Sequence, residues 1–231
     1  MSNAGNRLIA AAVLATIVVS ASSSGGGAAE PLDDRQMPKA EEQYTELFGS
    51  DLYKRGLYPE ALAVWSHAFK AKQDAGAAYE LGISYLDANV VKQDVGKALG
   101  YLRASAFRGD MRAQFELGSI YDNGEVVPAD RSLAAIWYFA ASMHDDPGAE
   151  FNLASLYETG EGVEADPTMA YAYYSLAIAH GFPDNAVGAL QRISARMTEA
   201  ERREAITMTT RIQASRSASF GLDRGAGAGA K

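Results

Sequence analysis

Side-chain types in this chain recur every 36 residues, and a period of that length leaves few folds open. Leu81-Gly82, Leu117-Gly118 and Leu153-Ala154 keep the interval, as do Tyr85, Tyr121 and Tyr157. So do Asp94, Asp130 and Asp166, and Ala98, Ala134 and Ala170. The aromatic series Trp65, Tyr101, Trp137 and Tyr173 starts one period earlier. Repeats of about 20–50 residues are units too small to bury an apolar face alone, so they stack and share a core. Such a chain presents a surface and has no need of an enclosed catalytic cavity.

Within each period the apolar spacing is helical. Ala77, Leu81 and Tyr85 fall at i, i+4 and i+8, as do Ala113, Leu117 and Tyr121, and Ala149, Leu153 and Tyr157. That spacing places each trio on the buried face of a first helix. Asp74, Asp110 and Asp146 precede these helices, where a short carboxylate accepts from the free N–H groups of the first turn. Gly124 and Gly160 are placed to end the first helix in a left-handed conformation. Asp94, Asp130 and Asp166 then cap a second helix, which aligns Ala98, Tyr101 and Ser105, then Ala134, Trp137 and Ala141, then Ala170, Tyr173 and Ala177. A small residue facing an aromatic ring lets two helices approach while the ring fills the remaining volume.

The pattern Ala-x-x-x-Leu-Gly-x-x-Tyr, then Gly-x-Gly-Val-x-x-Asp, then Ala-x-x-Trp/Tyr-Tyr resembles the Sel-one-like repeat, a relative of the tetratricopeptide repeat. Ala113 to Tyr138 and Ala149 to Tyr174 carry it most clearly, and Ala77 to Leu102 is a weaker third copy. The first copy has Ala88-Asn89-Val90-Val91 where the family has glycines, so its turn should differ; the second keeps Gly124 but has Val126 in place of the second glycine. The resemblance implies an all-α fold, an α-α superhelix: a right-handed solenoid of about ten helices.

The expected organisation is three repeats at 74–109, 110–145 and 146–181, between a tetratricopeptide-like capping unit at 40–73 and a capping helix pair at 182–213. In the first cap, Gly56–Trp65 resembles the junction of a tetratricopeptide helix pair with a shorter turn, and Glu41–Tyr53 would be the first helix of that pair. In the last, Pro183–Met197 precedes Thr198-Glu-Ala-Glu201, a capping box. Residues 214–231, ending in Gly-Ala repeats, read as a disordered tail.

Residues 1–29 have the layout of a secretory signal peptide: Arg7, an apolar run from Leu8 to Val19, and small residues offering cleavage after Ala21 or Ala29. The run is short of the ~20 residues that span a bilayer, although an uncleaved anchor is the alternative. Residues 30–39 read as a flexible linker. The expected location is the periplasm or outside the cell, with no membrane insertion after cleavage. The formal net charge of −8 argues against nucleic acid as a partner, since phosphate binding needs clustered Lys and Arg. The absence of cysteine excludes disulfides, thiolate metal sites and thiol nucleophiles.

Catalytic chemistry finds little support. His67, His144 and His180 form no His-Glu-x-x-His motif and no cluster with metal-ligand spacing; the latter two, near helix ends, read as complements to the helix dipole. Gly82-Ile-Ser84-Tyr85-Leu86 is one residue short of a nucleophile elbow and lies in a helix. Gly160-Glu-Gly162 has no preceding strand or following lysine to make a phosphate loop. No catalytic residue, cofactor or metal is expected.

The resemblance implies a concave face lined by first helices. The positions beside the core there are Glu80, Glu116 and Asn152, then Ile83, Ser119 and Ser155, then Asp87, Asn123 and Thr159. They form a candidate protein-binding strip, with ordinary solvated positions as the alternative. Tyr79, Phe115 and Phe151 make a further series that reads as core. The expectation is a non-enzymatic, monomeric envelope adaptor or regulator that holds a protein segment. The alternatives are an envelope enzyme acting on peptidoglycan or β-lactams, disfavoured by the missing cysteine and Ser-x-x-Lys, and a membrane-anchored spacer.

Overall fold

A computed structural model describes residues 45–226. The expectations for the signal peptide, for the linker and for residues 40–44 lie outside the described residues, as do residues 227–231. Ten helices and no strand are found among the described residues: α1 (Glu46–Lys54), α2 (Tyr58–Lys72), α3 (Ala75–Leu86), α4 (Val95–Ala106), α5 (Met111–Asn123), α6 (Arg131–Ser142), α7 (Pro147–Thr159), α8 (Pro167–Ala179), α9 (Pro183–Ser194) and α10 (Glu199–Ala226). The fold is all-α and built from helix–turn–helix repeats. Two compact units divide within α5, between Ala113 and Gln114.

Repeated side chains make repeated contacts. The carboxylates of Asp74 and Asp146 accept from the N–H groups of Ala77 and Ala149 at 2.9 and 2.7 Å. Asp94, Asp130 and Asp166 do the same for Lys97, Leu133 and Met169. The backbone N–H of each of these second-helix caps also donates to the carbonyl of the tyrosine nine residues earlier: Asp94 to Tyr85, Asp130 to Tyr121, Asp166 to Tyr157, at 2.8–3.0 Å. The constant Tyr-to-Asp spacing is thus the clamp that closes each helical hairpin.

In the first unit, Leu52, Leu57, Ala61, Val64, Trp65, Ala68, Ala77 and Leu81 form the core. Trp65 also donates from Nε1 to the Glu46 carbonyl at 3.0 Å, so its one polar atom is satisfied. Tyr85 stacks on Tyr101, and Asn89 bonds back to the Asp87 carboxylate through its N–H at 2.8 Å. That Asx turn replaces the glycines missing from the first copy; Asp87 ends α3 in an extended conformation, where Gly160 ends α7 at φ +76°.

In the second unit, Leu117, Ala134, Trp137, Tyr138, Leu153, Ala170, Tyr173, Tyr174 and Leu176 are buried. Full burial of a side chain such as Leu153 stabilises by roughly 1.5–3 kcal/mol. The glycine of Leu117-Gly118 lets the Tyr138 ring lie against the α5 backbone, since a Cβ there would come within 2.6 Å of the ring. At Gly162, φ is +78° and a Cβ would strike the Arg131 backbone; the Gly162 carbonyl accepts from the Ser132 hydroxyl at 2.8 Å. Tyr157 stacks on Tyr173 at 6.0 Å.

The last helix differs from expectation. It starts as the capping box requires, with the Thr198 N–H donating to Glu201 Oε2 at 2.6 Å and the Glu201 N–H to the Thr198 hydroxyl at 3.3 Å. It does not give way to a disordered tail at 214: α10 runs through to Ala226, and Arg216 is buried within it. Composition alone suggested a segment without apolar content to bury, but Arg216 is anchored by charge.

Candidate functional site

The first unit gathers three carboxylates around one guanidinium. Arg112, in the first turn of α5, donates from Nε and Nη2 to Asp110 at 3.1 and 2.7 Å. Its Nη1 donates to Glu46 of α1 at 2.7 Å and lies 3.6 Å from Glu80 of α3. The Tyr79 ring lies beneath, 4.4 Å from the guanidinium carbon, within cation–π range. The Arg112 side chain is 40% exposed and that of Glu80 25%. Two carboxylate charges remain in excess. Burial pushes the Glu80 carboxyl up; Arg112 opposes this, and Glu46 and Asp110 reinforce it. A Cβ on Gly76 would meet the Glu46 carboxylate, so a small residue in α3 makes room for this contact. The position of Gly76 recurs as Arg112 and then Gly148, which confines the guanidinium to one copy of the repeat.

The nine candidate strip residues divide by what already engages them. Ile83 is half-buried, and Asp87 is engaged by its own turn. The Asn123 amide donates to the Ser119 hydroxyl at 3.1 Å. Asn152 and Ser155 lie beside the hydroxyls of Tyr138 and Tyr174, which donate to Asp122 and Glu158 at 3.4 and 2.8 Å, and the Thr159 hydroxyl donates to the Ser155 carbonyl at 3.0 Å. Glu116, in α5, is half-buried, and no cation among the described residues pairs with it. Burial alone pushes its carboxyl up. In the further aromatic series, Phe115 packs against Tyr138, and Phe151 against Tyr174 and Phe182. Tyr79 instead supports Arg112.

A second charged cluster lies within the second unit, where sequence reasoning expected no assembly of metal-binding side chains. Glu150, in the first turn of α7, is fully buried. Its Oε2 lies 2.9 Å from His180 Nδ1, and its Oε1 accepts from Arg216 Nη1 at 2.5 Å. The same Nη1 donates to Asp145 Oδ1 at 3.1 Å, and His180 Nε2 lies 3.9 Å from that oxygen. Burial pushes the Glu150 carboxyl up, while Arg216 and His180 draw it down. Asp145, Glu150 and His180 offer donor atoms within 4.8 Å of one another. Residues 145, 150 and 180 form no linear ligand motif; folding a hairpin back on itself brings them together.

The Sel1 repeat model matches residues 75–110, 112–146 and 147–182. A Sel1 repeat protein from Oxalobacter formigenes is 34% identical over 54% of this chain and 93% of its own, with a TM-score of 0.50. The chain belongs to the Sel1 repeat family. A second solved structure, of c5321, a protective antigen present in uropathogenic Escherichia coli strains displaying an SLR fold, aligns at 20% identity and a TM-score of 0.51 over 84% of this chain, which shows the fold alone. The chain spans 50% of the length of that antigen. No curated protein matches the chain significantly.

Sel1 repeats mediate protein–protein interaction, and the family is typically a non-enzymatic scaffold. Among the described residues, no helix of this Sel1 repeat protein is long and apolar enough to cross a membrane. Sequence reasoning missed Glu46, Asp110 and Arg112 as a group, and Asp145, Glu150, His180 and Arg216 as another. One signal was present. Arg108, His144, His180 and Arg216 are spaced 36 apart, a basic series in which the first three follow the ends of second helices and Arg216 lies inside α10.

Proposed function

We propose that this Sel1 repeat chain is an exported, non-enzymatic adaptor or regulator whose first helices receive a protein segment carrying lysine or arginine. The observation that carries this reading is Glu116. A half-buried carboxylate without a cation is costly, and a partner's ammonium or guanidinium would relieve that cost. Within the first unit, taken by itself, Glu80 is likewise a carboxylate that Arg112 only partly neutralises. Membership of an interaction family and the net charge of −8 favour the same kind of partner. The apolar run after Arg7, followed by small residues, supports export to the periplasm.

The test compares capture from envelope extract by the mature wild-type protein, by Glu80→Lys with Glu116→Lys, and by Lys70→Glu on the exposed side of α2. A partner held by the wild type and by the Lys70 variant, lost by the double reversal and released by salt, is the expected result. Equal capture by all three would place binding elsewhere. Mass measurement of protein from its host should give an amino terminus near Ser22 or Glu30; an intact start in a membrane pellet would refute export.

A further inference from the structure

We propose that Asp145, Glu150 and His180 form a binding site for a divalent transition metal, Zn2+ by the nature of its donors, with Arg216 as a built-in competitor for the same carboxylates. The geometry carries this inference. Arg216 Nη1 stands 2.5 Å from Glu150 Oε1 and 3.1 Å from Asp145 Oδ1, so a positive nitrogen already occupies the place between two carboxylates. The His180 imidazole borders both of them, and the three candidate donor atoms lie within 4.8 Å of one another. A modest contraction brings one nitrogen and two oxygens to the roughly 2.0–2.2 Å of zinc ligation, with water completing a tetrahedron. The imidazole selects against Mg2+ and Ca2+, which prefer all-oxygen sites.

Arg216 is displaceable because it is incompletely satisfied. Its side chain is 3% exposed, yet Nε and Nη2 have no hydrogen-bond partner among the described residues. Buried donors without acceptors weaken the hold of a guanidinium, and these nitrogens would regain water on leaving. The Arg112 cluster offers no such exchange, since its Nε, Nη1 and Nη2 all donate to carboxylates and no imidazole among the described residues joins them. Arg216 also fastens the carboxyl-terminal half of α10, where Ala205 is the preceding buried residue. Metal in the site therefore loosens that half of the helix.

The experiment titrates Zn2+ into the full mature chain against a chromogenic chelator, with amide exchange followed along residues 206–218. The wild type should bind one Zn2+ at this site, and exchange in that stretch should quicken as it binds. Arg216→Gln should bind about tenfold more tightly, the scale of an ordinary coupling between two competing ligands. Asp145→Asn, which alters an exposed carboxylate, and His180→Gln should each bind at least about tenfold more weakly, the scale of losing a supporting contact at a metal site. Equal affinity of the wild type and Asp145→Asn would mean that Zn2+ binds elsewhere and would overturn the proposal. So would an absence of binding, or unchanged exchange in α10. Should Arg216→Gln fail to fold, the wild type, Asp145→Asn and the exchange measurement still decide.

Discussion

Arg112 and Arg216 each sit among carboxylates, but one is 40% exposed and the other 3%. In the first cluster the guanidinium satisfies Asp110 and Glu46 while water reaches the group, so attraction is screened and little stability depends on it. In the second, Glu150 is wholly buried and its charge is compensated only by side chains folded against it. Similar residue types therefore do different work. The exposed cluster leaves acidic charge available for a partner, and the buried one ties a terminal helix to a repeat. Burial, more than composition, separates the two.

Removing each arginine should expose that contrast. Arg216→Met leaves Glu150 buried without its guanidinium and should destabilise the second unit by about 3–5 kcal/mol. Denaturant unfolding measures this; a loss under about 1 kcal/mol would mean that water reaches Glu150 freely. Adding Glu150→Met to that variant should restore most of the loss, because an apolar pair of similar volume needs no charge compensation. If the double variant is as unstable as the single, the loss comes from packing around α10 and not from the orphaned carboxylate.

Arg112→Met should cost only about 0–1 kcal/mol, and less at high salt, as befits a screened network. A cost as large as that of Arg216→Met would erase the distinction drawn between the clusters. The smallest effect belongs to Glu116→Gln. Burial raises the carboxyl pKa in the folded state above its unfolded value. The stability associated with that group is therefore present below the unfolded pKa and lost as pH rises through the folded one. At pH 7 the glutamine variant should be at least as stable as wild type, and the difference should vanish below about pH 4, where both forms are neutral. Thermal melts across that range check the sign. A less stable variant at pH 7 would mean that Glu116 has a cation partner, contrary to its proposed role.

Much of the fold was legible because repetition turns weak local signals into strong ones. One aspartate before an apolar residue says little, but Asp94, Asp130 and Asp166 at equal intervals could be read as caps, and all three accept from first-turn N–H groups. The Thr198–Glu201 capping box was legible for a different reason: both halves of the motif lie within one turn. The candidate site was less legible. Helical position marks Glu80 and Glu116 as candidates, but the surroundings of Asn152 and Ser155 depend on where the Tyr138 and Tyr174 hydroxyls come to rest.

The sequence by itself determined the 36-residue period, the helix pairs, their caps and the face each helix buries, since all of these follow from spacing within a few turns of chain. Tertiary structure alone decided which charges meet. Arg112 reaches a carboxylate 66 residues away, and Arg216 reaches one at the same separation. Local periodicity carries no information about such encounters, nor about how much water is left around them. The same limit accounts for the misread tail: a segment poor in apolar residues was expected to stay disordered, whereas the fold places Glu150 and Asp145 within reach of Arg216. A charge compensated inside a protein anchors a helix in a way that its hydropathy cannot reveal.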